Sequence, residues 1–438
     1  MRILVESSTY HCQNMGDLAM MLVAVNRIYR HCPGASIRML TLAPESLNRF
    51  FSAVVPVPAE ARSQWANSHS LLGGYARRLP DSLANRLRSL EDGLWAAFPN
   101  AFGCAIRLER TLTARPRIDP SRFMSEIRNS DLVLVPGMGA LNDAFRDHAF
   151  TLLDVLAVAL RRRIPIALFG QGIGPITDSQ LLHRAKEVLT QARFIGLREG
   201  LTALPWLRSL GVSQSRMEVT GDDSLELAYS SRPDALGSGI GVNIRFASYS
   251  GFDQKFLDPV RNVLDRVAVD LGAGLVPLPT SFLEEESDIA ALTQLATGMS
   301  ARWLGGLQPN DPRPVIEATS HCRVVVTSSY HPAVFALAQG IPAVCMEHSA
   351  YYSQKFSGLQ SQFGAGCEIV PIGRPDFASR LERAIRASWA SAQNRRASLL
   401  DTTSALVARG CSAYARLFAE LGVVPKNTVT EMAATEAR

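Results

Sequence analysis

The sequence predicts an α/β protein of two domains, each built on a parallel sheet, that hold a small anionic ligand in the cleft between them. Three observations carry that expectation. Strand-length apolar runs alternate with helix-length amphipathic runs, one Pro-, Gly- and Ser-rich segment divides the alternation in two, and 438 residues exceed what a single core organises.

The alternation opens with a strand at Arg2 to Glu6, a turn containing Gly and Asn, and a helical pattern from Leu18 to Tyr29. Ser36 to Leu42 supplies a second strand. From about Glu60 to Ser121 the pattern becomes irregular, rich in Arg and Ser and weakly helical, and reads as a helical lid or excursion. Regular order resumes with strands at Asp131 to Val135, Pro165 to Phe169, Phe194 to Leu197 and Met217 to Thr220, separated by helices at Asp143 to Leu160, Asp178 to Gln191 and Leu201 to Leu210. Such spacing means parallel strands with crossover helices. Ser230 to Gly239 gathers Pro, Gly, Ser and Asp between apolar strands, which predicts a first domain over residues 1–232 and a second over 233–424. The second has strands at Ile240 to Ile244, Gly274 to Leu278, Cys322 to Thr327, Ala343 to Met346 and Glu368 to Val370. Residues 425–438, poor in apolar side chains, read as a flexible tail.

Composition narrows the function. Hydrophobic residues make up 47% of the chain and charged residues 19%, ample apolar surface for two buried sheets. The net charge of +5 is too small and too dispersed for a nucleic-acid surface, yet suits an anionic substrate. Seven cysteines stand singly with no CxxC pair, so a reducing cytoplasm is the expected setting. The start at Met1-Arg-Ile-Leu-Val-Glu6 lacks the succession of a signal peptide. Apolar stretches such as Thr151 to Leu160 stop at charges short of a membrane span, so at most peripheral membrane contact is expected. Without HxH, HExxH or a carboxylate triplet, no metal and no cofactor are expected.

Four constellations could carry chemistry. Asn14-Met-Gly16-Asp17 opens the first helix, where free amides can bind an anion, although taken alone it reads first as a well-capped helix. Pro136-Gly137-Met-Gly139 and Gly170-Gln171-Gly172-Ile-Gly-Pro175 lie at the carboxyl ends of strands, where backbone amides reach ligands; neither is a dinucleotide fingerprint. Arg198-Glu199 follows the strand at Phe194 and offers a fork for carboxylate or phosphate, or a surface ion pair. Thr327-Ser328-Ser329-Tyr330-His331 joins a buried strand to a helix start, placing an imidazole toward the cleft to bind phosphate or carry a proton. Beyond the next strand, Lys355 offers a point charge, or a solvated helix face.

The order of these motifs, with Thr220-Gly-Asp222-Asp223 between them, resembles the polysaccharide pyruvyl transferase family from residue 1 to about 375, excepting the Arg-rich excursion. The resemblance implies two Rossmann-like domains facing across a cleft, the GT-B-like arrangement of many glycosyltransferases. It also implies transfer of a pyruvyl group from phosphoenolpyruvate to a sugar, glycan or glycan-lipid acceptor. By matching positions Arg198, His331 and Lys355 are its donor-binding and catalytic residues. The chemistry of ketal formation also asks for a base toward the acceptor, for which Asp17, Asp222 and Asp223 are the candidates. One position departs: the family often has an arginine two residues before the histidine, and Ser329 stands there. That loss keeps two rivals open, a nucleotide-sugar-dependent glycosyltransferase and a catalytically inactive relative that binds a glycan or partner.

Overall fold

A computed structural model describes residues 1–60, 62, 79–112, 121–247, 249–305 and 311–423. The tail expected over 425–438 lies outside the described residues. The first sheet holds β1 (Arg2–Val5), β2 (Ser36–Thr41), β3 (Val55–Pro58), β4 (Leu132–Val135), β5 (Met138–Leu141), β6 (Ile166–Ile173), β7 (Phe194–Leu197) and β8 (Met217–Val219). Its order is β3-β2-β1-β4-β6-β7-β8, with β5 beside β6. The second holds β9 (Gly239–Asn243), β10 (Leu275–Pro277), β11 (Cys322–Thr327), β12 (Ala343–Glu347) and β13 (Cys367–Pro371), in the order β10-β9-β11-β12-β13. Every pairing in both sheets is parallel. The sheets part between Val219 and Gly239, the stretch that contains the Pro- and Gly-rich segment.

Parallel strands need crossovers. The helices in chain order are α1 (Met15–His31), α2 (Pro44–Phe50), α3 (Asp81–Ala97), α4 (Pro99–Leu112), α5 (Ser121–Arg128), α6 (Arg146–Arg161), α7 (Ser179–Leu189), α8 (Ala203–Leu210), α9 (Ser224–Ser230), α10 (Leu257–Leu271), α11 (Asp288–Ala296), α12 (Pro312–Ser320), α13 (Tyr330–Ala338), α14 (Ala350–Phe363) and α15 (Phe377–Glu420). Within the stretch from Glu60 to Ser121 the described residues are mostly helical, in α3 and α4. The periodicity missed β3, because Val55-Pro-Val-Pro58 carries two prolines, which a central strand excludes. β3 is the sheet's outermost strand, where a missing donor N–H is tolerated.

Side chains alternate across each sheet with the period of two that strands impose. Ile3 and Val5 join Leu132 and Leu134 in one apolar cluster, while Leu4, Val133 and Val135 face another. In the second sheet Cys345 joins the first of these clusters and Val344 and Met346 face a third. One continuous core therefore runs through both domains, made by α1 and α13 with the inner sheet faces, and each sheet has its own outer core.

The last helix fastens the halves together. α15 has 44 residues, about 66 Å at the α-helical rise, and its first part packs Leu381 and Ile385 into the second domain's outer core. Its last turns return to the first sheet, so the segment expected to end the second domain closes on the first. There Tyr414 stacks on Phe169 at 3.7 Å between ring centroids. Arg27 of α1, 1% exposed, pairs with Asp223 and Glu226 at 2.7 Å each and lies 5.3 Å from the Tyr414 ring centroid. Burial raises the Asp223 carboxyl to about 6, against the pull of Arg27. Replacing Arg27 with Met leaves that carboxylate buried and unpaired, so R27M is expected to lose about 3–5 kcal/mol at pH 7.5. The loss shrinks at pH 5, where Asp223 takes a proton; urea unfolding at the two pH values checks both.

Candidate active site

The two sheets meet at the carboxyl ends of their strands, and the first contact is made by the opening of α1. Asn14 caps that helix, its Oδ1 accepting from the amides of Gly16 at 3.1 Å and Asp17 at 3.2 Å. The same turn pairs with the loop after β10: Met15 N donates to Thr280 O at 2.8 Å and Phe282 N to Gln13 O at 2.9 Å. Gly16 is required by what comes from the other domain. A Cβ there would stand 2.0 Å from the His331 ring, so the imidazole rests directly on the glycine backbone.

The glycine loops of the first sheet do similar work with different neighbours. A Cβ on Gly137 would meet Met20 Sδ at 2.4 Å, and one on Gly139 would meet Lys355 Nζ at 2.9 Å. Gly172 has only ordinary contacts, so sterics do not demand glycine there. Gln171 is fully buried and turned inward, its Nε2 donating to Pro136 O and Phe169 O at 2.7 Å. It ties the two glycine loops together, and Oε1 is left without a protein partner.

Arg198 lies beneath these loops at 3% exposure. Its Nε donates to Gly170 O at 2.8 Å and stands 3.0 Å from Asp222 Oδ2, and its Nη2 reaches Met20 Sδ at 2.9 Å. The guanidinium is thus partly committed to the protein and leaves less than a full fork for a ligand. Asp222 in turn accepts from Ser224 N at 2.9 Å and Ser224 Oγ at 2.5 Å.

From the second sheet, β11 delivers Ser328, Ser329, Tyr330 and His331 to the start of α13. Ser328 Oγ accepts from Arg245 N at 2.9 Å, tying the loop after β9 to the end of β11. Ser329 caps α13 in extended geometry, its buried Oγ close enough to the Tyr352 hydroxyl to oppose the rise that burial gives that phenol. The Tyr330 ring is buried with Arg198 and Lys355 each 5.3 Å from its centroid. His331 is 6% exposed; its Nε2 has no hydrogen-bond partner and lies 3.9 Å from Asp222 Oδ2, too far to bond. Lys355 reaches from α14, donates to Tyr351 Oη and sits 4.1 Å from that ring's centroid. Tyr351 Oη in turn donates to Gly139 O at 3.4 Å, across the cleft.

The electrostatics follow from bringing cations together out of water. Burial holds the His331 imidazole well below its ordinary value, and Arg198, Lys355 and Arg245 push it further, so it is uncharged at neutral pH. Burial brings the Lys355 ammonium down to about 7, with Arg198 adding to the fall and Asp17 and Asp222 opposing it. Asp17 goes the other way, raised by burial to about 6 against Arg198 and Lys355. Asp17 and Lys355 are only partly buried, so both open on the cleft. Two titrating groups poised near neutrality, beside a free imidazole, are the equipment of proton transfer.

Sequence reasoning missed Arg245, Asn142 and Tyr351. Arg245 is 4% exposed and grips Asp288 with both Nε and Nη2 at 2.8 Å. Its signal was available, since it follows β9 as Arg198 follows β7. Asn142 donates to Gly139 O at 2.8 Å and accepts from Phe145 N at 3.1 Å, shaping the β5 loop. Gln354 of α14 spans the cleft to Ile173 O and Thr202 Oγ1, both at 2.7 Å.

The sequence model of the polysaccharide pyruvyl transferase family matches residues 14–350 of the chain. The comparison with curated proteins finds no match. Among solved structures, the chain is similar to UDP-GlcNAc 2-epimerase from Neisseria meningitidis bound to UDP-GlcNAc, at TM-score 0.51 and 10% identity, covering 96% of this chain and 99% of that one. It is similar to S. aureus MnaA in its co-structure with UDP, at TM-score 0.54 and 10% identity, covering 97% and 98%. It is also similar to Arabidopsis thaliana UGT89C1 complexed with UDP, at TM-score 0.54 and 13% identity, covering 96% and 99%. At these identities the likeness is one of fold, the GT-B arrangement of two Rossmann-like domains.

Because a Cβ at residue 16 has no space beside His331, G16A is expected to displace the imidazole. Turnover should fall at least about tenfold, or 1.4 kcal/mol in the barrier, while far-ultraviolet circular dichroism stays unchanged. Steady-state kinetics beside the spectrum checks this.

Proposed function

Because the chain belongs to the polysaccharide pyruvyl transferase family, we propose that it transfers the pyruvyl group of phosphoenolpyruvate to a sugar or glycan precursor, in the cytoplasm, closing a pyruvate ketal. The observation that carries this reading is the convergence of Arg198, His331, Lys355 and Asp17 at one seam, where buried cations lower one another's proton affinity. A site so arranged favours an anion with more than one charged group. Phosphoenolpyruvate carries a carboxylate and a phosphate on neighbouring atoms.

The reaction takes a proton onto the enol carbon, adds a sugar hydroxyl at C2, releases phosphate and closes with a second hydroxyl, each hydroxyl giving up its proton. Phosphoenolpyruvate and a diol thus become a ketal and inorganic phosphate. Lys355 supplies a point charge to the donor and Arg198 its unshared N–H groups. The Ser329 hydroxyl and the first amides of α13 receive an oxygen of the phosphate. His331, uncharged with Nε2 free, hydrogen-bonds the phosphate as it leaves. Asp17 is the base toward the acceptor, since Asp222 is held by Arg198 and Asp223 by Arg27.

A second reading draws on Ser329 and on the UDP in the titles of two similar structures: a nucleotide-sugar-dependent glycosyl transfer. Incubation with phosphoenolpyruvate and candidate glycan acceptors, following phosphate release and product mass, separates the two. Phosphate release that falls at least about a hundredfold in K355M and H331N supports pyruvyl transfer. Release of UDP from a nucleotide sugar, with no phosphate from phosphoenolpyruvate, would decide for the second reading. If neither donor turns over, the inactive binding relative stands.

The pH profile has a definite sign. Asp17 acts ionised, so kcat/KM rises as pH increases through about 6. Lys355 acts charged, so kcat/KM falls as pH increases beyond about 7. A narrow bell is expected, and K355R should carry its alkaline limb upward, because arginine stays charged.

A further inference from the structure

The outermost strand of the second sheet, β13, leaves a hollow between its free edge and the flank of α15. Its volume is about 260 Å³, near the lower end of ordinary ligand pockets. Glu368, Ile369 and Val370 form the strand wall, and Arg380, Arg383 and Arg395 rise from the helix. With Ala384, Ala387 and Ser388, these helical positions fall within an arc of roughly 140° at the α-helical turn. Two alanines stand where longer side chains would fill the space, so the arginines ring a concave surface. None of these residues lines the cleft beside Arg198 and Lys355.

The protein leaves the charge of this hollow uncompensated. On the opposite flank of α15 the acids are taken: Glu382 pairs with Arg266 at 2.7 Å and with Arg386 at 2.9 Å, and Arg386 also pairs with Asp270 at 2.5 Å. In the hollow, Arg380 has Asp376 one turn back at 3.8 Å, and Arg383 is in no ion pair among the described residues. Arg395 Nη1 donates to Ala365 O, which fixes that guanidinium to the loop before β13. Glu368, the one carboxylate of the lining, is exposed and likewise in no ion pair among the described residues. Three cations and one carboxylate leave two positive charges facing one space.

A phosphate monoester carries roughly −1.5 to −2 charges at neutral pH, which matches that excess. Guanidinium forks suit its oxygens. The rest of the lining decides what the phosphate carries. No aromatic side chain is present to stack a base, whereas Glu368 and Ser388 offer an acceptor and a hydroxyl to hydroxyl groups. We propose that the hollow between β13 and α15 binds a sugar phosphate, as a second small-molecule site apart from the cleft. The proposal does not depend on the choice of donor at the cleft.

Phenylglyoxal labelling of the full chain, read residue by residue by peptide mass spectrometry, tests it. Glucose 1-phosphate is the probe, and at saturation it should slow labelling of Arg380, Arg383 and Arg395 at least about fivefold. Glucose should give no protection, and inorganic phosphate should need at least about tenfold higher concentration. The E368A variant should require severalfold more glucose 1-phosphate and less inorganic phosphate, because the carboxylate repels the bare anion and accepts from the sugar. K355M, altered in the cleft alone, should keep the protection in full. Unchanged labelling of the three arginines in glucose 1-phosphate would overturn the proposal. So would protection lost in K355M, which would put the ligand in the cleft, or equal potency of inorganic phosphate, which would leave a bare anion patch. Stronger protection by uridine monophosphate would overturn it as well, since the ligand would then be a nucleotide.

Discussion

The imidazole of His331 rests on the backbone of Gly16, and the geometry of the seam follows from that contact. No side chain separates the two at this point, so the start of α1 and the start of α13 approach as closely as backbone and ring allow. The pairing of Asn14 with Ser281, and the bonds of Met15 and Phe282 beside it, fix the same approach through main-chain groups. α15 holds the halves together from the far side, through Tyr414 on Phe169. With both ends fixed, residues from distant parts of the chain meet in a volume that excludes most water. Burial there is the largest cause of the shifted proton affinities of His331, Lys355 and Asp17, while Asp222 and Asp288 hold Arg198 and Arg245 charged against it.

The charges at the seam nearly cancel. Arg198 faces Asp222, Arg245 faces Asp288, and Lys355 and Asp17 influence each other across the cleft. Such balance makes the buried cluster tolerable without a ligand, since an unpaired buried charge costs several kcal/mol. It also leaves the ligand's charge to be met in another way. His331 is uncharged and Lys355 titrates near neutrality, so an incoming anion raises the proton affinity of both. Binding of an anion and uptake of protons are then one event, and the protons arrive where a proton transfer is required.

How far this was legible in the sequence depends on distance along the chain. The alternation of Ile3, Leu4 and Val5 between two cores is local, and a period of two reveals it. The order of strands and helices is legible for the same reason. The reason for Gly16 or Gly139 is not, because the atoms that exclude a Cβ belong to His331 and Lys355, distant in sequence. Gln171 was expected to touch a ligand; its Nε2 is taken by the carbonyls of Pro136 and Phe169, a role that only the crossing of the two glycine loops defines, while its Oε1 has no protein partner. β3 escaped detection because its prolines are acceptable only at an edge, and edge position is a property of the assembled sheet.

Ser329 stands where the family often places an arginine, and the structure gives that substitution a physical context. A guanidinium at this position would add a fixed charge at the start of α13, beside an Arg198 already paired with Asp222. In this chain the position holds a neutral hydroxyl at the start of α13, where the helix dipole favours an anion without a fixed charge. Arg245 lies close enough to depress the His331 imidazole, yet both of its arms are engaged by Asp288 and Thr280, so it contributes field more than contact. On the proposed reading, the missing charge is met by three weaker sources: the field of Arg245, the dipoles of α13, and protons drawn onto His331 and Lys355. A site that relies on titrating groups in place of a fixed cation binds its anion over a narrower range of pH, and that dependence distinguishes it from a site with the arginine.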